Sequence, residues 1–139
     1  MADEVQQIVE GDGYALGNID ALADGPGFRK IRRALGVTAF GVNAIELPPG
    51  YETGGHYHER QEELYFVHRG RIEMTLGDDD ATHVLGPGGA ARVDAATVRK
   101  IKNVGDEPAV YLAVGGEGGY VGRDGRLPEG ETTRFGPSN

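Results

Sequence analysis

No cysteine occurs among the 139 residues. That excludes a disulfide framework, a thiolate metal site and a thiol nucleophile. No apolar run approaches the ~20 residues that a bilayer-spanning helix needs. The first seven residues, Met1 to Gln7, are acidic and polar and do not have the character of a secretory leader. Basic residues are the minority: 14 Lys and Arg stand against 22 Asp and Glu, for a net charge of −8. This balance opposes general binding to nucleic acid. No long amphipathic helix is legible, and no helix-turn-helix segment. The expectation is a cytoplasmic protein that engages neither membrane nor nucleic acid.

What the chain has in quantity is glycine, 24 residues, with 38% hydrophobic content. Many turns and short strands follow from that, within one ordinary domain. Residues 37–47 read as a strand closed by Pro48-Pro49-Gly50. Further strands are expected over 64–67, 71–76, 82–85, 90–93, 98–103 and 109–114, with turns at Gly77–Asp80, Gly86–Gly89 and Gly105–Pro108. Short strands at regular spacing predict an all-β sandwich or barrel. Residues 1–36 form an N-terminal extension with a short apolar patch at Val5, Ile8 and Val9 and a possible helical turn over 18–22. Residues 28–35 carry Arg29, Lys30, Arg32 and Arg33 around Phe28, Ile31 and Leu35, read as a solvated strand face or a dimer rim. Residues 115–139 are a Gly-rich tail with few apolar anchors.

One stretch concentrates the chemistry. Residues 50–70 place His56 and His58 one residue apart, followed by Glu62, Glu63 and Gly70. On an extended strand, residues i and i+2 share a face, so both imidazoles aim at one volume. A turn through Glu59-Arg60-Gln61 returns Glu62 or Glu63 to that volume. Two imidazoles and one carboxylate suit iron, manganese, nickel or zinc. His68 lies on the face opposite Glu63, Tyr65 and Val67, which fits a surface or interface role. His83 falls on an outer strand, and Asp78-Asp79-Asp80 fits a solvated hairpin tip better than a calcium loop.

The pattern Gly50-x5-His56-x-His58-x4-Glu63-x6-Gly70 resembles the first motif of the cupin superfamily at each defined position. A second cupin motif is matched in spacing from Gly88 through Asp94, Ala96 and Arg99 to Asn103, where only Gly88 and Asn103 keep their identity. The resemblance covers residues 37–114. It implies a double-stranded β-helix, or jelly-roll, with one pocket, metal ligands at His56, His58 and Glu63 rather than Glu62, and a homodimer.

The chain departs from the family at the fourth ligand, a histidine there and Arg99 here. Arginine carries only donors and does not ligate metals. Arg99 therefore points away, is screened by Glu63 or a bound anion, or replaces the metal by pairing with Glu63. Two functions follow as expectations. One is a metal-dependent enzyme on a small anionic, oxygenated substrate held by Arg99 and Tyr65, with dioxygenase or isomerase chemistry. The other is a non-catalytic binding protein with a metal-free Glu63–Arg99 pocket.

Overall fold

Strands whose apolar side chains alternate with polar ones bury them by stacking two sheets face to face. The computed structural model describes residues 2–23, 25–77, 81–122 and 124–128, and the backbone of 135–137. β1 (Val9–Gly11) and β2 (Tyr14–Leu16) form an exposed ribbon with Val9 opposite Leu16. β3 (Gly27–Arg29), a one-turn helix α1 (Ile31–Leu35) and β4 (Gly41–Leu47) follow. β5 (Tyr51–Thr53), β6 (Tyr57–His58) and β7 (Glu62–Arg69) carry the His/Glu stretch. Then come β8 (Ile72–Leu76), β9 (Ala81–Leu85), β10 (Ala90–Val93), β11 (Arg99–Asn103) and β12 (Ala109–Gly116). β13 (Gly125–Arg126) and β14 (Phe135–Pro137) come from the C-terminal region.

One five-stranded sheet has the order β10-β7-β12-β4-β3 and the other β14-β5-β11-β8-β9, while β13 pairs with β6. All the pairings are antiparallel, so the architecture is the expected all-β jelly-roll. The inner faces supply one core, in which Ile45, Leu47, Tyr65, Val67, Ile72, Met74, Ile101 and Tyr111 are buried. Along β7, Glu63, Tyr65 and Val67 point in and Glu62, Leu64, Phe66 and His68 point out, as period two requires. His83 is exposed on β9. Among the described residues no helix is long and apolar enough to cross a membrane.

Asn103, at the end of β11, is buried and ties three segments. Its amide donates to the carbonyls of Leu47 at 2.9 Å and Glu107 at 2.7 Å, and its oxygen accepts from the Gly105 N–H at 2.8 Å. Gly70 closes the turn between β7 and β8 at φ +84°, where a Cβ would lie 2.7 Å from Ala109 Cα. No side chain yields at that contact, because the neighbour is backbone. Gly70→Ala is therefore expected to cost about 2–3 kcal/mol in urea-denaturation stability, from the left-handed φ and the clash together. A loss within error of zero would show that the β7–β8 turn relaxes freely.

Several boundaries differ from expectation. The 28–35 stretch is a strand only through Arg29, then turns as α1, which Gly36 ends in a left-handed cap at φ +74°. Arg29 is not a surface cation: it is buried, pairs with Glu46 at 3.2 Å and donates to the carbonyls of Ala23 and Gly25. The strand expected from Val37 begins at Gly41. The helical turn near Asn18 is a 3-10 turn over Ile19–Ala21, with the Asn18 side chain accepting from Asp20 N–H. The Asp78–Asp80 turn lies outside the described residues.

Candidate metal centre

His56 and His58 reach the barrel interior by different backbone supports. His58 lies in β6, and its N–H donates to Ala95 O at 2.8 Å. His56 sits in an isolated antiparallel bridge with Arg99, exchanging N–H···O bonds of 2.9 and 2.8 Å. The two rings meet edge to face at 5.4 Å and 80°. Glu63 comes from the start of β7. His58 Nε2 stands 3.0 Å from Glu63 Oε1. One donor atom from each of His56, His58 and Glu63 lies within 4.8 Å of the others.

This donor set fits a divalent transition metal. Two atoms that each bond a metal at ~2.0–2.2 Å stand about 3.0–3.5 Å apart in facial or tetrahedral geometry, so the widest pair closes by up to about 1.8 Å, within reach of side-chain rotation. Protonation also suits it. Burial pushes the Glu63 carboxyl up, but hydrogen bonds from His58 and Tyr65, with the charges of His58 and Arg99, outweigh it and hold the carboxyl below its ordinary value. Burial, then the nearby Arg99 charge, lowers the His56 pKa to about 4, so its imidazole is neutral at neutral pH. A metal ligand set of neutral imidazoles and a carboxylate needs those states.

Three neighbours orient the donors. Tyr65 Oη donates to Glu63 Oε1 at 2.5 Å, and burial pushes that phenol up, so it stays a donor. The Gln61 amide touches His58 Nδ1 at 3.0 Å and donates to Glu63 Oε2 at 3.3 Å. Asp124 lies 3.7 Å from His58 Nδ1. The donors face a cavity of about 320 Å³ whose walls include Ile45, Tyr111, Ala113, Tyr120, Val121 and Leu127.

Arg99 is fully buried on the inner face of β11. Its Nη2 donates to Asp94 O at 2.8 Å, and its other end nitrogen approaches Ala95 O at 3.5 Å. Its Nε has no hydrogen-bond partner among the described residues. The guanidinium thus turns toward the 93–95 carbonyls, and Arg99 is not among the cavity-lining residues described. Its charge acts on both site residues through space, lowering the pKa of His56 after burial and helping to hold the Glu63 carboxyl low.

The cupin-domain family profile matches residues 43–115, more than half the chain. The chain is a cupin. No curated protein sequence matches it. Among solved structures, this cupin is similar to oxalate decarboxylase from Bacillus subtilis, at 19% identity over 73% of this chain and 33% of that one, with a TM-score of 0.60. It is similar to a DMSP lyase at 27% identity over 65% of this chain and 44% of that one, TM-score 0.55. It is also similar to a candidate sugar phosphate isomerase from Acidithiobacillus ferrooxidans, at 28% identity over 63% and 56%, TM-score 0.57. The cupin spans from a third to somewhat over half of these proteins' lengths.

Sequence reasoning named His56, His58, Glu63, Tyr65 and Arg99 and missed Gln61, Asp124 and the cavity wall at Tyr120, Val121, Gly125 and Leu127. Gln61 sits in the turn that served only as a connector, and its position two residues before Glu63 was the available signal. Asp124 lies in the Gly-rich C-terminal region, where no motif or periodicity marks it.

Proposed function

We propose that this cupin is a mononuclear metalloprotein that takes a small oxygenated, anionic molecule into its inner cavity and acts on it as an enzyme of the isomerase or dioxygenase type. The observation that carries the reading is the convergence of His56, His58 and Glu63 on one cavity wall. Manganese joins iron, nickel and zinc as a candidate ion, since the similar oxalate decarboxylase of Bacillus subtilis has Mn(II) centres. A bound ion would supply Lewis acidity or a place for dioxygen at its open positions.

The chain's own residues do the rest. Tyr65 and Gln61 hold the Glu63 carboxylate in its inward rotamer. The apolar wall lowers the effective dielectric beside the donors, which strengthens charge interactions there. No lysine or arginine is found among the cavity-lining residues described, so an anionic group of the ligand would be received at the metal. Arg99, behind the site, adds positive potential there without touching the ligand. The rival reading, a metal-free Glu63–Arg99 pair, is less well supported: Glu63 is taken by His58, Tyr65 and Gln61, and Arg99 by backbone carbonyls. Elemental analysis of untagged protein, followed by calorimetric titration with each metal, tests the choice. One equivalent bound per chain is expected; no uptake of any of the four would sink the metalloprotein and leave the binding protein.

We also propose a homodimer. Leu64 and Phe66 are exposed on the outer face of β7, beside half-buried Val114 and Leu112 of β12. A second copy covering this strip would remove it from water. The N-terminal region extends a sheet within one chain, where β3 pairs with β4. Light scattering should give twice the 14.8 kDa chain mass, and Phe66→Asp should halve it. A monomeric wild type at micromolar concentration would end this proposal.

A further inference from the structure

Beyond the matched region 43–115, Tyr120, Val121, Asp124, Gly125 and Leu127 return to line the cavity. Asp124 is the anchor of this segment. Its Oδ2 accepts the N–H groups of Arg60 at 2.9 Å and Gln61 at 2.8 Å, and its carbonyl accepts the Glu59 N–H at 3.2 Å. Next to it, Gly125 pairs with His58 across the β13–β6 ladder. Only 4% of the Asp124 side chain is exposed, and it faces His58 Nδ1 at 3.7 Å. Its Oδ2 takes two backbone N–H donors, an arrangement that favours the ionised carboxylate, which faces the ring.

We propose that Asp124 is a positioning residue for His58, holding the imidazole in the tautomer that turns Nε2 to the metal. This rests on the metalloprotein reading above. A neutral imidazole has one N–H and one lone pair. With Nε2 opposite Glu63 Oε1 at 3.0 Å and the Gln61 amide nitrogen opposite Nδ1 at 3.0 Å, the metal-free network is satisfied by a proton on Nε2. A metal that takes the Nε2 lone pair displaces that proton, and the ring must carry its proton on Nδ1 instead. An amide N–H cannot accept there, whereas the Asp124 carboxylate can once the 3.7 Å separation closes to hydrogen-bond distance. The ring loses one proton at Nε2 and gains one at Nδ1, so its charge is unchanged. A segment outside the barrel core thus sets the quality of a ligand inside it.

The test is zinc titration of the full chain by calorimetry, with wild type, Asp124→Asn, Asp124→Glu and Arg126→Ala. Asp124→Asn keeps an oxygen for the Arg60 and Gln61 N–H groups, so the metal-free melting temperature should stay near wild type. Its zinc affinity should fall about 10–100-fold, the usual effect of removing a partner behind a metal-bound histidine. Asp124→Glu, which restores the carboxylate, should recover part of the loss. Arg126→Ala loosens the same segment at Glu59, a contact of 3.0 Å, without touching His58, and should bind zinc as wild type does. Long-range proton–nitrogen NMR of the zinc-loaded wild type should place the His58 proton on Nδ1. Undiminished affinity in Asp124→Asn, as when a rotated Gln61 amide oxygen suffices, would overturn the assignment. So would an equal loss in Arg126→Ala, or an Nε2 proton in the loaded state. Wild type that binds no zinc, iron, manganese or nickel is a separate result, which removes the metalloprotein reading and this role with it.

Discussion

Glu63→Ala should abolish specific metal binding, with a loss of affinity well beyond the ~10–100-fold typical of a residue behind a ligand. Three effects act together. The variant loses the sole carboxylate of the donor set, leaving two imidazoles. It removes the negative charge that offsets Arg99 near His56. It also strips Tyr65 of its acceptor, and a buried hydroxyl left unsatisfied costs about 1–3 kcal/mol of stability. Glu63→Gln separates the terms, because its amide oxygen still accepts from Tyr65 while offering a metal a much poorer ligand. The expected pattern in calorimetric titration is no binding by Ala or Gln, with the stability loss confined to Ala. Tight binding by Glu63→Gln would mean that the metal is held by some other group.

Arg99→His should tighten metal binding by at least ~10-fold, because a repelling cation becomes a neutral donor. Backbone geometry makes this a directed expectation. His56 and Arg99 exchange both hydrogen bonds of an antiparallel bridge, so their side chains leave the same face as neighbours. A histidine at 99 would share the volume that His56 occupies. The same change should lower thermal stability. The carbonyls of Val93, Asp94 and Ala95 lose their guanidinium donor, at about 1–3 kcal/mol for buried groups left unpaired. Arg99→Met isolates the charge: it fills much of the volume, adds no ligand, and should still tighten the metal. Weaker metal binding by both variants would show instead that the guanidinium supports the site, and unchanged binding would show that its charge is not felt there.

Much of this arrangement was legible before any coordinates. The cupin spacing chose Glu63 over its neighbour Glu62, and period two along 62–69 places Tyr65 beside Glu63 and His68 outside. The two histidines came from spacing alone, though His56 is supported by a lone bridge rather than by a continuous strand. The basic stretch at 28–35 was misjudged. A run of cations looks solvated in sequence, yet Arg29 finds Glu46 and two carbonyls in a place that only β3–β4 pairing creates.

The sequence by itself determined the all-β architecture and the inner face of 62–69, and its resemblance to cupins singled out His56, His58 and Glu63 as candidate donors. Those properties depend on residue type and short-range period, which two or three turns of text already contain. The tertiary structure alone decided where the Arg99 guanidinium goes, because that depends on the carbonyls of 93–95 curling beneath it. It alone decided that Gln61 and Asp124 stand behind His58. Asp124 is separated from Arg60 by 64 positions, and no local pattern encodes a contact made across such a distance. What closes it is the pairing of β13 on β6, a long-range ladder that forms only when the barrel is already there to receive it.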